Sequence, residues 1–447
     1  MNADVTIGAD GATRLEPHPL RAAILGEIHA RPFTPLATPA RVLHFAFDTS
    51  GERAAADRIA LIELCNRHDW PAPNPSDKHH RIVFETTTLR WEQHSEFTTY
   101  TWEFIADSTP GSSAPPAEAA PFQPHAGALA APMALVRQPG PVLAAIDLHL
   151  LADGGEATMP ERLFQRASLA VADNSDATAL YATDFQPDPA GFVRILVIDR
   201  GLGAERAGAL VQRLIELETY RTLALLGLPK AQQLAPAINR IERRLAEVTE
   251  EMRRSHSLAD NHLLLNELTE LAAELEAGAT QSLYRFGASR AYDEIVKLRL
   301  QTIGERKAGG LPTWSSFLAR RMAPAMRTCV TTEDRQANLS RKLARAANLL
   351  RTRVDVEQER QNQELLRSMN TRTQLQLRLQ ATVEGLSVAA ISYYVVGLFS
   401  YLVKGLHDSG LIHVEPNYVI AGFVPFAILF IWWLVRRIRK HHIAGEV

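Results

Sequence analysis

The sequence predicts an α+β chain: an N-terminal mixed α/β domain, a long helical hairpin and stalk region, and two C-terminal transmembrane helices. Three observations carry this. Short β-rich segments alternate with a helical pattern between about residues 40 and 199, strand signals vanish after about 204, and two apolar runs stand at the far end. A chain of 447 residues has material for several domains. The expected division is a cytoplasmic α/β domain over 1–202, a helical region over 203–330, a stalk helix over 331–384 and a two-span membrane domain over 385–447.

The strand candidates are RVLHFAFD (41–48), RIVFETTTL (81–89), EFTTYTWEFI (96–105), PVLAAIDLHLL (141–151) and FVRILVID (192–199). Each is rich in β-branched or aromatic residues and bounded by turn formers. Between the first two, 55–68 places apolar residues at helical spacing. The stretch 108–132 is dominated by Pro, Ala and Ser and reads as a mobile surface loop. Beyond residue 204, antiparallel helices are expected to join at Pro229, Ser255 and Gly278.

From Thr331 to Leu406 no proline occurs, and Gly385, Gly397 and, next to its end, Gly405 are tolerable in a span, so one helix of some 70 residues, about 100 Å long, is expected to enter the first span. Leu343, Ala347, Leu350 and Val354 repeat at coiled-coil spacing, which suggests a seam between copies. After them come Gln358, Gln361, Asn362, Gln363, Asn370, Thr371 and Thr373. A helix polar on most faces is a solvated connector or lines a wet passage.

The apolar runs 385–406 and 419–435 each fit a bilayer core of about 30 Å. Arg436, Arg437, Arg439 and Lys440 follow the second run at once. Lys and Arg accumulate on cytoplasmic flanks, so both termini are expected inside a bacterial inner membrane. Only the loop 407–418, with Asp408 and Glu415, would face out. The first twenty residues lack a basic segment followed by an apolar one, and no signal peptide is expected.

Composition excludes several classes. Lys+Arg 48 against Asp+Glu 50 lacks the basic excess of a nucleic-acid binder. The two cysteines, Cys65 and Cys329, have neither disulfide-framework nor zinc-site spacing. Hydrolase and zinc-protease signatures are absent, so no enzyme activity and no cofactor are expected. GLGAER (201–206) stands where a phosphate loop would, but lacks the third glycine and carries Glu205 in the first helical turn. Glu27, His29 and Arg31 form the best binding-like cluster if their segment is extended; helical periodicity there argues for capping instead. Arg90, Trp91, Glu92, His94 and Glu96 read as an exposed hairpin, and no metal set is evident.

The strings HPLRAAILGEIHARPF (18–33), LRWEQHSEFTTYTWEF (89–104) and VEGLSVAAISYYVVGL (383–398) resemble a bacterial family of membrane-anchored proteins known only as a domain of unknown function. The order of parts also resembles the CorA-type divalent-cation channels, whose first span lines the pore of a pentamer. That resemblance implies a homo-oligomer in the lipid bilayer passing ions, with Asn370, Thr382, Ser387, Ser392, Ser400 and Lys404 as pore-lining candidates. The CorA-type Gly-Met-Asn signature is replaced by Lys404, Gly405 and Leu406. Ser387, Tyr394 and Tyr401 recur every seven residues, a pattern compatible with a pore face or with helix packing. The alternative is a membrane-anchored scaffold or sensor without transport.

Overall fold

The computed structural model describes residues 6–7, 13–14, 18–21, 24–25, 33–74, 77–84, 87–105, 121–123, 133, 136–255, 257–411 and 414–443. The chain forms two units, one of residues 1–248 with 268–344, the other of 249–267 with 345–447.

Two short strands, β1 (Thr6–Ile7) and β2 (Thr13–Arg14), pair with each other. The first unit is built on a nine-stranded sheet comprising β3 (Ala40–Asp48), β4 (His79–Val83), β5 (Thr87–Gln93), β6 (Phe97–Ile105), β7 (Val142–Ala152), β8 (Ala170–Asp173), β9 (Ala179–Thr183), β10 (Val193–Asp199) and β11 (Arg306–Lys307). Their spatial order is β11-β8-β9-β10-β7-β3-β6-β5-β4, and β10 pairs with β7 in parallel. Five strands lie close to their expected places, except that 81–89 divides. Phe84 N donates to Thr87 O at 2.8 Å, between the end of β4 and the start of β5. Strands β8, β9 and β11 escape the sequence reading because they are short and Ala-rich or only two residues long.

Alternation along the central strands sends residues to two apolar layers. Leu43, Phe45, Phe47, Leu89, Trp91, Tyr100 and Trp102 pack with Leu61, Leu64 and Cys65 of helix α1 (Arg53–Arg67). Asp57 on α1 is buried there, accepting from Tyr100 Oη at 2.6 Å and Trp91 Nε1 at 2.9 Å. Beyond the short helix α2 (Pro160–Leu163) and strand β10, helix α3 (Ala204–Leu225) covers the opposite face. Its Leu210, Leu214 and Leu217 share a core with Val42, Ile146, Leu148 and Ile195.

Helices α4 (Gly227–Arg254) and α5 (Leu258–Ile303) follow. The first joint falls at Leu226, not Pro229, because a proline is tolerated in the opening turn of a helix. Ser255 separates α4 from α5 as expected, whereas Gly278 lies inside α5. Helix α6 runs unbroken from Trp314 to Asp408 over 95 residues, so it starts well before Thr331 and includes Pro324. Its opening turns bury Trp314, Phe317, Leu318, Met322 and Met326 in the core that also holds α3, which outweighs the hydrogen bond a proline removes.

In the second unit, Leu350 and Val354 are buried, and Arg353 Nη1 donates to Met252 O at 2.6 Å. Leu343 is fully buried in the first unit. Three of the four seam residues, Leu343, Leu350 and Val354, are thus buried within one chain and Ala347 is half-buried, so the expected need of this seam for a partner copy falls away. Residues 358–383 are exposed on every face, about 40 Å of helix. Helix α7 (Pro416–Ile443) closes the unit, with Phe423 stacked on Phe399 of α6 at 3.7 Å. Two stretches, within α6 and α7, are long and apolar enough to cross a membrane.

Candidate functional site

The strands β3, β6 and β5 turn an unusual set of side chains toward α3. With Leu89, Trp91, Tyr100 and Trp102 committed to the α1 side, alternation sends Arg90, Glu92, Thr99, Thr101 and His44 to the other. The sequence suggests water outside that polar face; α3 covers it instead. Arg90 and Glu92 are each 7% exposed and Glu96 is 9%, so this segment is an inner strand and its turn, not an exposed hairpin.

Helix α3 answers with Gln212, Glu216, Thr219 and Tyr220, spaced so that they share the face over the strands. A cavity of about 240 Å³ lies between, lined also by His94, Phe97 and, from α5, Arg299. A smaller space next to it is lined by Arg90, Glu103, Thr34 and Gly208. Polar groups placed under a helix must find partners, and most do. Glu216 accepts from Gln212 Nε2 at 2.9 Å and from Arg299 Nε at 2.6 Å. Arg90 lies 4.0 Å from both Glu92 Oε2 and Glu103 Oε1. Glu92 Oε2 also faces Thr99 Oγ1 at 3.5 Å, while Glu92 Oε1 is buried without a hydrogen-bond partner.

His44 is held neutral. Burial, reinforced by the nearby Arg90 charge and then by His94, lowers its pKa to about 3. Its two ring nitrogens are spanned by Thr101 Oγ1 at 2.8 Å on Nδ1 and Thr219 Oγ1 at 3.1 Å on Nε2. Thr219 gives its one hydroxyl proton to Ile215 O at 2.9 Å. Nε2 must then carry the ring proton and Nδ1 must accept from Thr101. The imidazole thus ties the sheet to α3 by neutral hydrogen bonds.

The features singled out in the sequence are scattered elsewhere. Glu27, His29 and Arg31 lie outside the described residues, as does nearly all of 108–132. In GLGAER, Asp199 Oδ1 accepts from Gly201 N at 2.8 Å and Leu202 N at 2.7 Å, so a carboxylate of the chain occupies the amides a phosphate would need. Asn370 and Thr382 sit on the exposed stretch of α6, and Ser387 donates back to Val383 O at 2.9 Å. Ser392 is buried with an unpartnered hydroxyl, Ser400 is half-buried, and Lys404, Asp408 and Glu415 are exposed. Asn370 to Lys404 spans about 50 Å of one helix and makes no single site. Burial pushes the Cys65 and Cys329 thiols up, away from the reactive thiolate. Among the described residues no group of three His, Cys, Asp or Glu is placed to hold a metal ion.

A family model described as "Protein of unknown function (DUF3422)" matches residues 16–442. The chain belongs to the DUF3422 family. No curated protein and no solved structure gives a match. In this DUF3422 chain the half-open polar cavity beneath α3 gathers polar groups that are not all paired, Glu92 Oε1 among them, and reading the sequence missed it. The available signal was the coincidence of two strands with a polar face, Thr88/Arg90/Glu92 and Thr99/Thr101/Glu103, with one helix carrying Gln212, Glu216 and Thr219 at matching height.

Proposed function

We propose that this DUF3422 protein is a membrane-anchored sensor whose first unit takes a small polar ligand beneath α3. The observation that carries the proposal is the cavity itself: an ordinary core would be filled with apolar side chains, since burying polar groups costs free energy unless they are paired. Helix α3 roofs the cavity and shares one apolar core with the opening turns of α6. Ligand contacts that shift α3 would bias α6, the helix that continues as the first apolar span.

In this reading both termini face the cytoplasm, on the strength of the basic flank at Arg436, Arg437, Arg439 and Lys440. A cysteine replacing Ser409, between the two apolar helices, is expected to react with an impermeant thiol reagent in intact spheroplasts. Labelling at Glu446→Cys with protection at Ser409→Cys would reverse the orientation, and labelling of neither, with reaction of both after permeabilisation, would remove the crossing.

A second reading, conduction by a CorA-type homo-oligomer in the inner membrane, draws on the bare stretch 358–383. Leu365, Met369, Leu379, Val383 and Leu386 are exposed there and just beyond it, in 4-3 register with Arg372 and Gln376 between them, a pattern that favours association with further copies. In a pore of that kind Ser387, Ser400 and Lys404 would meet the ions, and a ring of Lys404 ammonium groups would repel divalent cations. It requires ion flux through proteoliposomes; the sensor does not.

A further inference from the structure

We infer that the ligand of the α3 cavity is a compact organic cation, an ammonium group on a short carbon chain; this rests on the cavity being a binding site and names what fills it. Its charged lining consists of two carboxylates, Glu92 and Glu216, against one guanidinium, Arg299. His44 adds no charge at neutral pH. The adjoining smaller space adds Glu103 and Arg90, so the two spaces together present three carboxylates and two guanidiniums beside the rings of His44 and His94.

Position matters more than the sum. Each oxygen of Glu216 already accepts a hydrogen bond, one from Gln212 and one from Arg299. Glu92 is turned by its Oε2 toward Thr99 and Arg90, and its Oε1 has no donor, although the residue is only 7% exposed. A buried carboxylate oxygen without a donor is costly, and an N–H of an ammonium group supplies what it lacks. The walls suit the rest of such a molecule. Phe97 and Tyr220 line the cavity, their rings 6.1 Å apart and nearly perpendicular, and the His94 ring stacks on Phe97 at 4.1 Å. Aromatic faces attract cations and cover short methylene chains. An anion would have to sit against Glu92 Oε1, with Arg299 already committed to Glu216 and Arg90 placed 4.0 Å from both Glu92 Oε2 and Glu103 Oε1. As for size, a cavity of roughly 150 Å³ takes benzene, so about 240 Å³ takes a slightly larger solute.

The test is titration calorimetry on the full chain in nanodiscs, in amine-free buffer, with ethanolamine and 1,4-diaminobutane against acetate, inorganic phosphate and neutral 1-propanol. Saturable binding of an amine and of none of the other three is expected, with Kd raised roughly tenfold or more by Glu92→Gln at an unchanged melting temperature. The comparison of solutes on the wild type stands even if the variant does not fold. Binding of acetate, phosphate or propanol in place of the amines, or an unaltered Kd in a folded Glu92→Gln protein, would overturn the cation and leave the sensor. Binding of none of the five would overturn both.

Discussion

Replacing Asp147 with Asn is expected to destabilise the first unit by about 3–5 kcal/mol, the range for breaking a buried ion pair by removing one partner. Asp147, on β7, is 1% exposed and takes a two-point contact from Arg41 of β3, Nε to Oδ1 at 2.9 Å and Nη2 to Oδ2 at 2.7 Å. An amide cannot accept at both positions, and it leaves the guanidinium charge uncompensated in the sheet. Burial of Asp147 works against its ionisation; the His149 imidazole at 3.4 Å and the Arg41 guanidinium outweigh it and hold the carboxyl below the usual range. With a folded-state pKa below the unfolded one, the stability is fully present above about pH 4 and is lost as pH falls through the folded value. Thermal melts followed by tryptophan fluorescence check both parts. The wild type should lose this increment on acidification below about pH 4, and Asp147→Asn should lack it at neutral pH.

Gly208→Ala is expected to destabilise the same unit by about 2 kcal/mol even though alanine is the better helix former by about 1 kcal/mol. A Cβ at this position of α3 would stand 1.9 Å from Thr34 O, far inside contact distance. The segment it meets is pinned by Leu36 N donating to Ala204 O at 2.9 Å, so α3 or that segment must move. Both line the smaller space beside the cavity. A lowered melting temperature is the expected reading, and a raised one would show that helix propensity dominates there.

The sequence made the framework legible where one period prevailed. Alternation placed the central strands, helical spacing placed α1, and the two apolar runs placed the membrane candidates. What it hid depended on pairing across long separations. The polar face of β5 and β6 looks solvated until α3, more than a hundred residues later, is laid over it, so Arg90 and Glu92 read as an exposed hairpin; Glu96 is instead paired by Arg285 of α5. Likewise Leu343, Leu350 and Val354 looked like a seam for another copy, because the sequence does not reveal that the chain buries them itself. The stalk helix reads as starting at 331 because local propensity carries no knowledge of the core waiting for Trp314 and Phe317, which carries the helix through Pro324.

A cavity that receives a ligand must admit a small molecule into the folded protein. Thiol reactivity at Thr99→Cys measures this most directly, with buried Cys65 and Cys329 as internal standards. The engineered thiol should react faster than either native cysteine, and roughly tenfold faster with 2-aminoethyl methanethiosulfonate than with its sulfonate analogue, because Glu92 and Glu216 line the cavity and Arg299 is committed to Glu216. A thiol at position 99 as slow as Cys65 and Cys329 until the protein is denatured would contradict a ligand-taking cavity beneath α3.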